Sequence, residues 1–211
     1  MMSRITFYTN PMSRGQIARW ALHEAGAAYD EIVLDYGSDM KSIEYLAVNP
    51  MGKVPAIVHE GNAVTEAAAI CLYLADAFPE AGLLPEGRAE KADYLRWTFF
   101  AAGPVEQAVI NRSMGWTAGD DLKPQRHLGY GSYERTMGVL SALFETRDHV
   151  CGDRFTAADI YVGSQVDWGM QFGTIPATPA LQDYAARLRA RPAYKEARAV
   201  DAAHIARMQG G

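Results

Sequence analysis

Cysteine is nearly absent from this chain of 211 residues, which carries only Cys71 and Cys151. The two lie far apart and form no C-x-x-C pair, so neither a disulfide nor a metal site is expected. Cys71, within Ala69-Ile70-Cys71-Leu72, reads as a buried core thiol. Cys151 precedes a glycine in a turn and receives no chemical role. Positive charge is also short, since 20 Lys and Arg against 25 Asp and Glu leave a net charge of -5. That balance argues against nucleic acid or an anionic membrane as partner. No run of about 18 apolar residues occurs, and the Met-Met-Ser-Arg start lacks a signal-peptide core. A cytoplasmic location is the default expectation. The remaining composition, 49% hydrophobic and 21% charged, is that of a soluble globule. This length allows one large or two small domains with a sizeable core.

The chain is organised around the stretch from Asn49 to Ala67. Asn49-Pro50 stops a helix, because the residue before proline is pushed out of the helical region. Ala56-Ile57-Val58-His59 reads as a short strand, Glu60-Gly61-Asn62 as a tight turn and Ala63-Val64 as a returning strand. Thr65-Glu66 then opens a helix through Ala68, Ile70, Leu72 and Leu74. Val54-Pro55 marks an edge or a turn, since proline cannot donate to a sheet ladder. A cis bond there would turn the preceding backbone outward. Glu66 stands at a helix N-terminus, whose free amides form a natural anion site. A backbone edge beside such a terminus suits a small peptide with a free carboxylate and a free amine.

Around this centre the order is strand, helix, strand, helix, strand, strand, helix. Ile5-Thr6-Phe7-Tyr8 is the first strand. Ser13-Arg14-Gly15-Gln16 has capping-box spacing, with Ser13 at the N-cap. Ile17, Ala21, Leu22 and Ala25 share a helical face that ends at Gly26. Glu31 to Leu34 is the second strand, and Lys41 to Val48 a short helix with Ile43 and Leu46 inward. A parallel pair with a crossover helix, followed by an antiparallel hairpin, is a thioredoxin-like α/β layout. Residues 1–78 form this domain and 79–87 a linker rich in proline and glycine. Residues 88–211 form an all-helical domain, with a kink at Gly103-Pro104 and a long loop over Met114 to Gly131. Helices follow over Tyr133 to Glu145, from a Thr156/Asp159 capping start to about Phe172, and over Pro179 to Arg189 and Pro192 to Met208.

The N-P-x-G-K-V-P segment and the T-E-A-A-A-I helix start resemble the glutathione site of cytosolic glutathione S-transferases. The similarity is strongest to bacterial and fungal members with a P-x-S-R start, and it covers nearly the whole chain. The resemblance implies a homodimer that binds glutathione and a small hydrophobic electrophile. It also implies attack of the glutathione thiolate on that electrophile. Only the thiolate is a competent nucleophile, and a free thiol with a pKa of roughly 8.5 is mostly protonated at neutral pH. The protein must therefore donate a hydrogen bond to sulfur or place it at a helix N-terminus. Ser13 is the first candidate, although it can also be a simple cap. Asn10 is the second through its side-chain amide, and Tyr8 the third. No cysteine lies near this loop, which disfavours a mixed-disulfide mechanism on the protein's own thiol.

By the same resemblance, Lys53 reaches the glycyl carboxylate and Val54, before Pro55, pairs its backbone with the cysteinyl unit. Glu66 holds the γ-glutamyl amine and the next amide its carboxylate. The plain alternatives are a solvated lysine and a dipole-favoured glutamate. Ala67 departs from the pattern, since a serine or threonine hydroxyl is usual there. The lost hydrogen bond is worth about 1.5–3 kcal/mol, so weak glutathione affinity is expected. The electrophile pocket is expected from Trp97, Phe100, Asn111, Arg112, Trp116 and the Trp168–Phe172 turn, though aromatics at helical spacing also build cores. Two other functions remain open: a glutathione-dependent disulfide reductase or peroxidase, and a non-catalytic binding module of the same fold.

Overall fold

The computed structural model describes residues 4–116 and 118–210. The Met-Met-Ser start considered above lies outside them. The chain divides into two compact units, Met1–Leu84 with Arg189–Gly211, and Pro85–Leu188.

In the first unit, β1 (Ile5–Thr9) runs parallel to β2 (Tyr29–Val33), and β3 (Ala56–His59) runs antiparallel to both β1 and β4 (Asn62–Thr65). The sheet order is β2-β1-β3-β4. Alternation along β1 sends Ile5 and Phe7 into the core with no exposure. Helix α1 (Gly15–Glu24) makes the crossover between the parallel strands and buries Ile17, Ala21 and Leu22. Gly26 ends its turn at φ +62, the left-handed backbone that glycine adopts freely. Glu60 and Gly61, both at positive φ, close the β3–β4 hairpin with the twist that two-residue turns require. Helix α3 (Ala67–Ala77) follows, burying Ile70, Cys71 and Leu74. The thioredoxin-like arrangement read from the sequence is the one observed.

Three local expectations change. The capping box at Ser13 does not form, because α1 starts at Gly15 and the Gln16 amide donates to the Pro11 carbonyl instead. The helix over Lys41 to Val48 is a 3-10 turn at Asp39–Lys41 and a single α-turn, α2 (Ile43–Leu46), capped by Ser42. Tyr45 faces inward from α2 while Ile43 is 84% exposed, since so short a helix can bury only one side chain well. Finally, α3 begins after Glu66, because Thr65 is still paired with Ala56 in the sheet.

The last helix, α10 (Pro192–Gln209), belongs with the first unit rather than with the helices before it. It packs on α1, where Trp20 and Tyr194 meet edge to face at 5.0 Å. Arg19, fully buried, donates to Asp201 at 2.9 Å and to Glu31 at 2.8 Å. Arg191 forks onto both oxygens of Glu24. Burial opposes ionisation of Glu31, yet Arg19 and then His204 hold its carboxyl below the usual carboxylate range.

The second unit is helical. Helix α4 (Gly87–Phe100) passes through a π-turn at Ala101–Val105 into α5 (Glu106–Ser113). Pro104, which lacks an N–H, sits inside that turn and gives the reset anticipated at Gly103-Pro104. The expected long loop contains a short helix, α6 (Leu122–His127), capped by Asp121. Helices α7 (Tyr133–Leu143), α8 (Ala157–Gln171) and α9 (Pro179–Ala190) complete the order. Met137, Leu140 and Phe144 are buried along one face. The Thr156/Asp159 capping box is present, and the buried Asp159 also accepts from Val150 N and Tyr184 Oη. Among the described residues no helix is long and apolar enough to cross a membrane.

Candidate functional site

Two loops of the first unit and the start of α3 carry the residues singled out by the sequence. In the loop after β1, Ser13 Oγ donates to the Asn10 carbonyl at 2.7 Å and accepts from Gly15 N at 2.9 Å. The next two amides are also bonded, Gln16 N to Ser13 O and Ile17 N to Arg14 O. The opening amides of α1 are therefore largely occupied by the loop itself. Asn10 is 1% exposed, with Nδ2 donating to Leu34 O and Oδ1 accepting from Met12 N. Its side chain ties two segments together. Tyr8 packs against a cluster of Leu34, Met40, Tyr45 and Ala56, with its ring 5.3 Å from that of Tyr45.

The loop before β3 is held differently. Lys41 Nζ donates to Met51 O and Gly52 O, while Tyr45 Oη and Asn49 Nδ2 donate to Lys53 O at 2.5 and 2.6 Å. Gly52 turns at φ +58, and a Cβ there would lie 2.6 Å from Met40 O. The Val54-Pro55 bond is cis. Val54 is half-buried against the Tyr45 cluster, and Lys53 is exposed. Among the described residues the Val54 backbone makes no hydrogen bond. Sequence reasoning missed Tyr45 and Lys41, and took Asn49 as a helix stop and the first residue of the N-P-x-G-K-V-P segment, not as a donor to Lys53 O. Its position four residues before Lys53 was the available signal.

Glu66 is the N-cap of α3 at φ 65 and ψ 118, with no side chain capping the helix. Its carboxylate is exposed, and Ala67 behind it is 6% exposed. A non-glycine residue at positive φ costs on the order of 1 kcal/mol or more, and such residues cluster at ligand sites. Ile70 N is the first amide to find an intrahelical acceptor, Glu66 O, leaving the amides of Ala67, Ala68 and Ala69 without a helical partner.

In the second unit the expected pocket residues do not gather in one place. Phe100 meets Trp97 edge to face at 5.5 Å, and Trp97 is buried. Asn111 donates to Tyr130, Trp168 is half-buried in α8, and Trp116 and Phe172 are 66% and 76% exposed. Arg112 stacks 4.0 Å over Tyr133 and pairs with Glu134. With Met137, Ser141 and Pro176 these three line an open groove of about 560 Å³. Among the described residues no cluster of His, Cys, Asp and Glu could hold a metal. Cys71 is fully buried and Cys151 nearly so, and burial pushes both thiols up, Cys151 to about 11.

A thioredoxin-like sheet with an exposed N-cap acid, a cis proline before β3 and a helical second unit defines a class. Residues 3–76 match the family described as glutathione S-transferase, N-terminal domain, and residues 131–192 its C-terminal domain. The chain belongs to the glutathione S-transferase family. It is 30% identical to glutathione S-transferase 2 of Schizosaccharomyces pombe, over 72% of this chain and 68% of that one. It is 28% identical to the disulfide-bond oxidoreductase of Escherichia coli, over 92% and 94%. A sphingomonad glutathione S-transferase complexed with glutathione superposes with a TM-score of 0.73 at 28% identity, over 93% and 98%.

Proposed function

We propose that this protein is a glutathione transferase that conjugates the glutathione thiolate to a small hydrophobic electrophile. The observation that carries the reading is Glu66, a strained, exposed acid set over three helix amides without a helical partner. Its carboxylate takes the γ-glutamyl amine, and the Ala67 amide takes the γ-glutamyl carboxylate. Val54 offers its backbone to the cysteinyl unit, beside Pro55, and Lys53 its ammonium to the glycyl carboxylate. A sphingomonad relative complexed with glutathione supports glutathione as the ligand.

Ser13 is the thiol-activating group in this proposal. Its hydroxyl rests on the Asn10 carbonyl, and rotation about one side-chain bond transfers that donor to sulfur. Asn10 is less suited, because its amide is buried on Leu34 O. Of the residues expected at the electrophile pocket, Phe100, Arg112, Trp116 and Trp168, the proposal rests on Arg112, which lines the groove with Tyr133 and Glu134. The homodimer and the cytoplasmic location belong to the same proposal.

A specific likeness favours a second reading, reduction of disulfides by bound glutathione, since the relative from Escherichia coli is a disulfide-bond oxidoreductase. Turnover of an aryl halide against turnover of a glutathionyl disulfide separates the two. Conjugation of the aryl halide is expected. Disulfide turnover alone moves the function to reduction, and no turnover with either leaves a binding module.

A further inference from the structure

Resting on the reading that Val54 docks glutathione through its backbone, the geometry points to Tyr45 and Asn49 as positioning residues. They fix the plane of the Lys53–Val54 peptide and so aim the Val54 N–H at the ligand. Two donors converge on one carbonyl, Tyr45 Oη at 2.5 Å and Asn49 Nδ2 at 2.6 Å from Lys53 O. Both distances are at the short end for such bonds, and both lone pairs of the oxygen are engaged. The cis bond lies one residue further on, so the Lys53–Val54 peptide is trans and its N–H points opposite to the held carbonyl. With the carbonyl drawn toward α2, that amide faces away from it and takes no partner among the described residues.

The two donors are themselves fixed. Tyr45 is 3% exposed and Asn49 is 4% exposed. Asn49 Oδ1 accepts from Met51 N, Asn49 O from Gly52 N, and Asn49 N donates to Tyr45 O. The amide orientation of Asn49 follows, since its oxygen is taken by one N–H and its nitrogen must face Lys53 O. Tyr45 holds its proton as well: burial, with Tyr8 adding, pushes its hydroxyl up to about 12, against the opposing bond from Asn49. It stays a donor through neutral pH. A carbonyl with two donors also polarises its own peptide, which strengthens the N–H on the far side as a donor.

The test combines calorimetry with reduced glutathione and amide hydrogen exchange at Val54, on wild type, Tyr45→Phe and Asn49→Ala. Tyr45→Phe keeps the ring packing on Tyr8 and removes only the donor. Each variant is expected to weaken glutathione binding about five- to tenfold, the scale of one lost hydrogen bond. Glutathione-dependent protection of the Val54 amide falls in parallel, while exchange at β1 and α1 amides is unchanged. A purely structural role would lower the melting temperature and speed exchange throughout, without singling out Val54. Variants that bind within twofold of wild type, with Val54 equally protected, overturn the inference alone. If wild type binds glutathione without protecting Val54, or does not bind it, the docking reading falls and takes the inference with it.

Discussion

The loop after β1 and the loop before β3 solve opposite problems with similar means. In the first, the polar groups are satisfied among themselves: Ser13 on Asn10, Asn10 on Leu34 and Met12, and the opening amides of α1 on the loop. In the second, three successive carbonyls are held by Lys41, Tyr45 and Asn49, and the Val54 amide is among those left over. Under the proposed function, the second loop is set for glutathione before it arrives, and the first must trade an internal hydrogen bond for one to sulfur. Binding and thiol activation should therefore respond to different substitutions.

The largest break in that contrast is expected from Gly52→Ala. The added methyl meets a backbone oxygen at 2.6 Å, and the φ of +58 disfavours any side chain. The two effects together cost about 2 kcal/mol or more of folding stability, read by denaturant titration, and the displaced loop should also weaken glutathione binding in calorimetry. Ala67→Ser should act in the other direction. Restoring a hydroxyl at the start of α3 adds a hydrogen bond to the γ-glutamyl carboxylate and tightens binding about tenfold. Unchanged affinity would remove Ala67 from the site.

The smallest effect is confined to alkaline pH. Tyr45 ionises near 10 when unfolded and at about 12 when folded, because burial favours its neutral form. The unfolded chain then holds fewer protons than the native one, so stability falls as pH rises from about 10 to 12. Cys151, lifted from 9.0 to about 11, brings a similar loss that starts near pH 9. Tyr45→Phe should flatten the upper part of the slope in denaturant titrations, by on the order of 2 kcal/mol at its end.

Much of this was legible in the residues, and the misses share a cause. Asn49-Pro50, the hairpin at Glu60-Gly61 and the Thr156/Asp159 box are local signals, each decided within a few residues. The strands and longer helices around them formed, though β2 runs over Tyr29–Val33 rather than from Glu31 to Leu34. The box at Ser13 failed because Gln16 found the Pro11 carbonyl first. The inward face of α2 was misread because one turn is too short for periodicity to decide, and the pull of Lys53 O on Tyr45 settled it. The short helix α6 was hidden among four glycines and a proline. The place of α10 depends on Arg19 meeting Asp201, a pairing 182 residues apart that no local pattern carries.

The most direct test is an ultraviolet titration of the bound glutathione thiol against pH, on wild type and Ser13→Ala. Wild type is expected to ionise the thiol near neutral pH, well below the roughly 8.5 of a free thiol. Ser13→Ala should bind with similar affinity and return the ionisation toward the free value. If ionisation survives in Ser13→Ala, the donor is Asn10 or the helix terminus. If wild type binds no glutathione, the transferase account is contradicted.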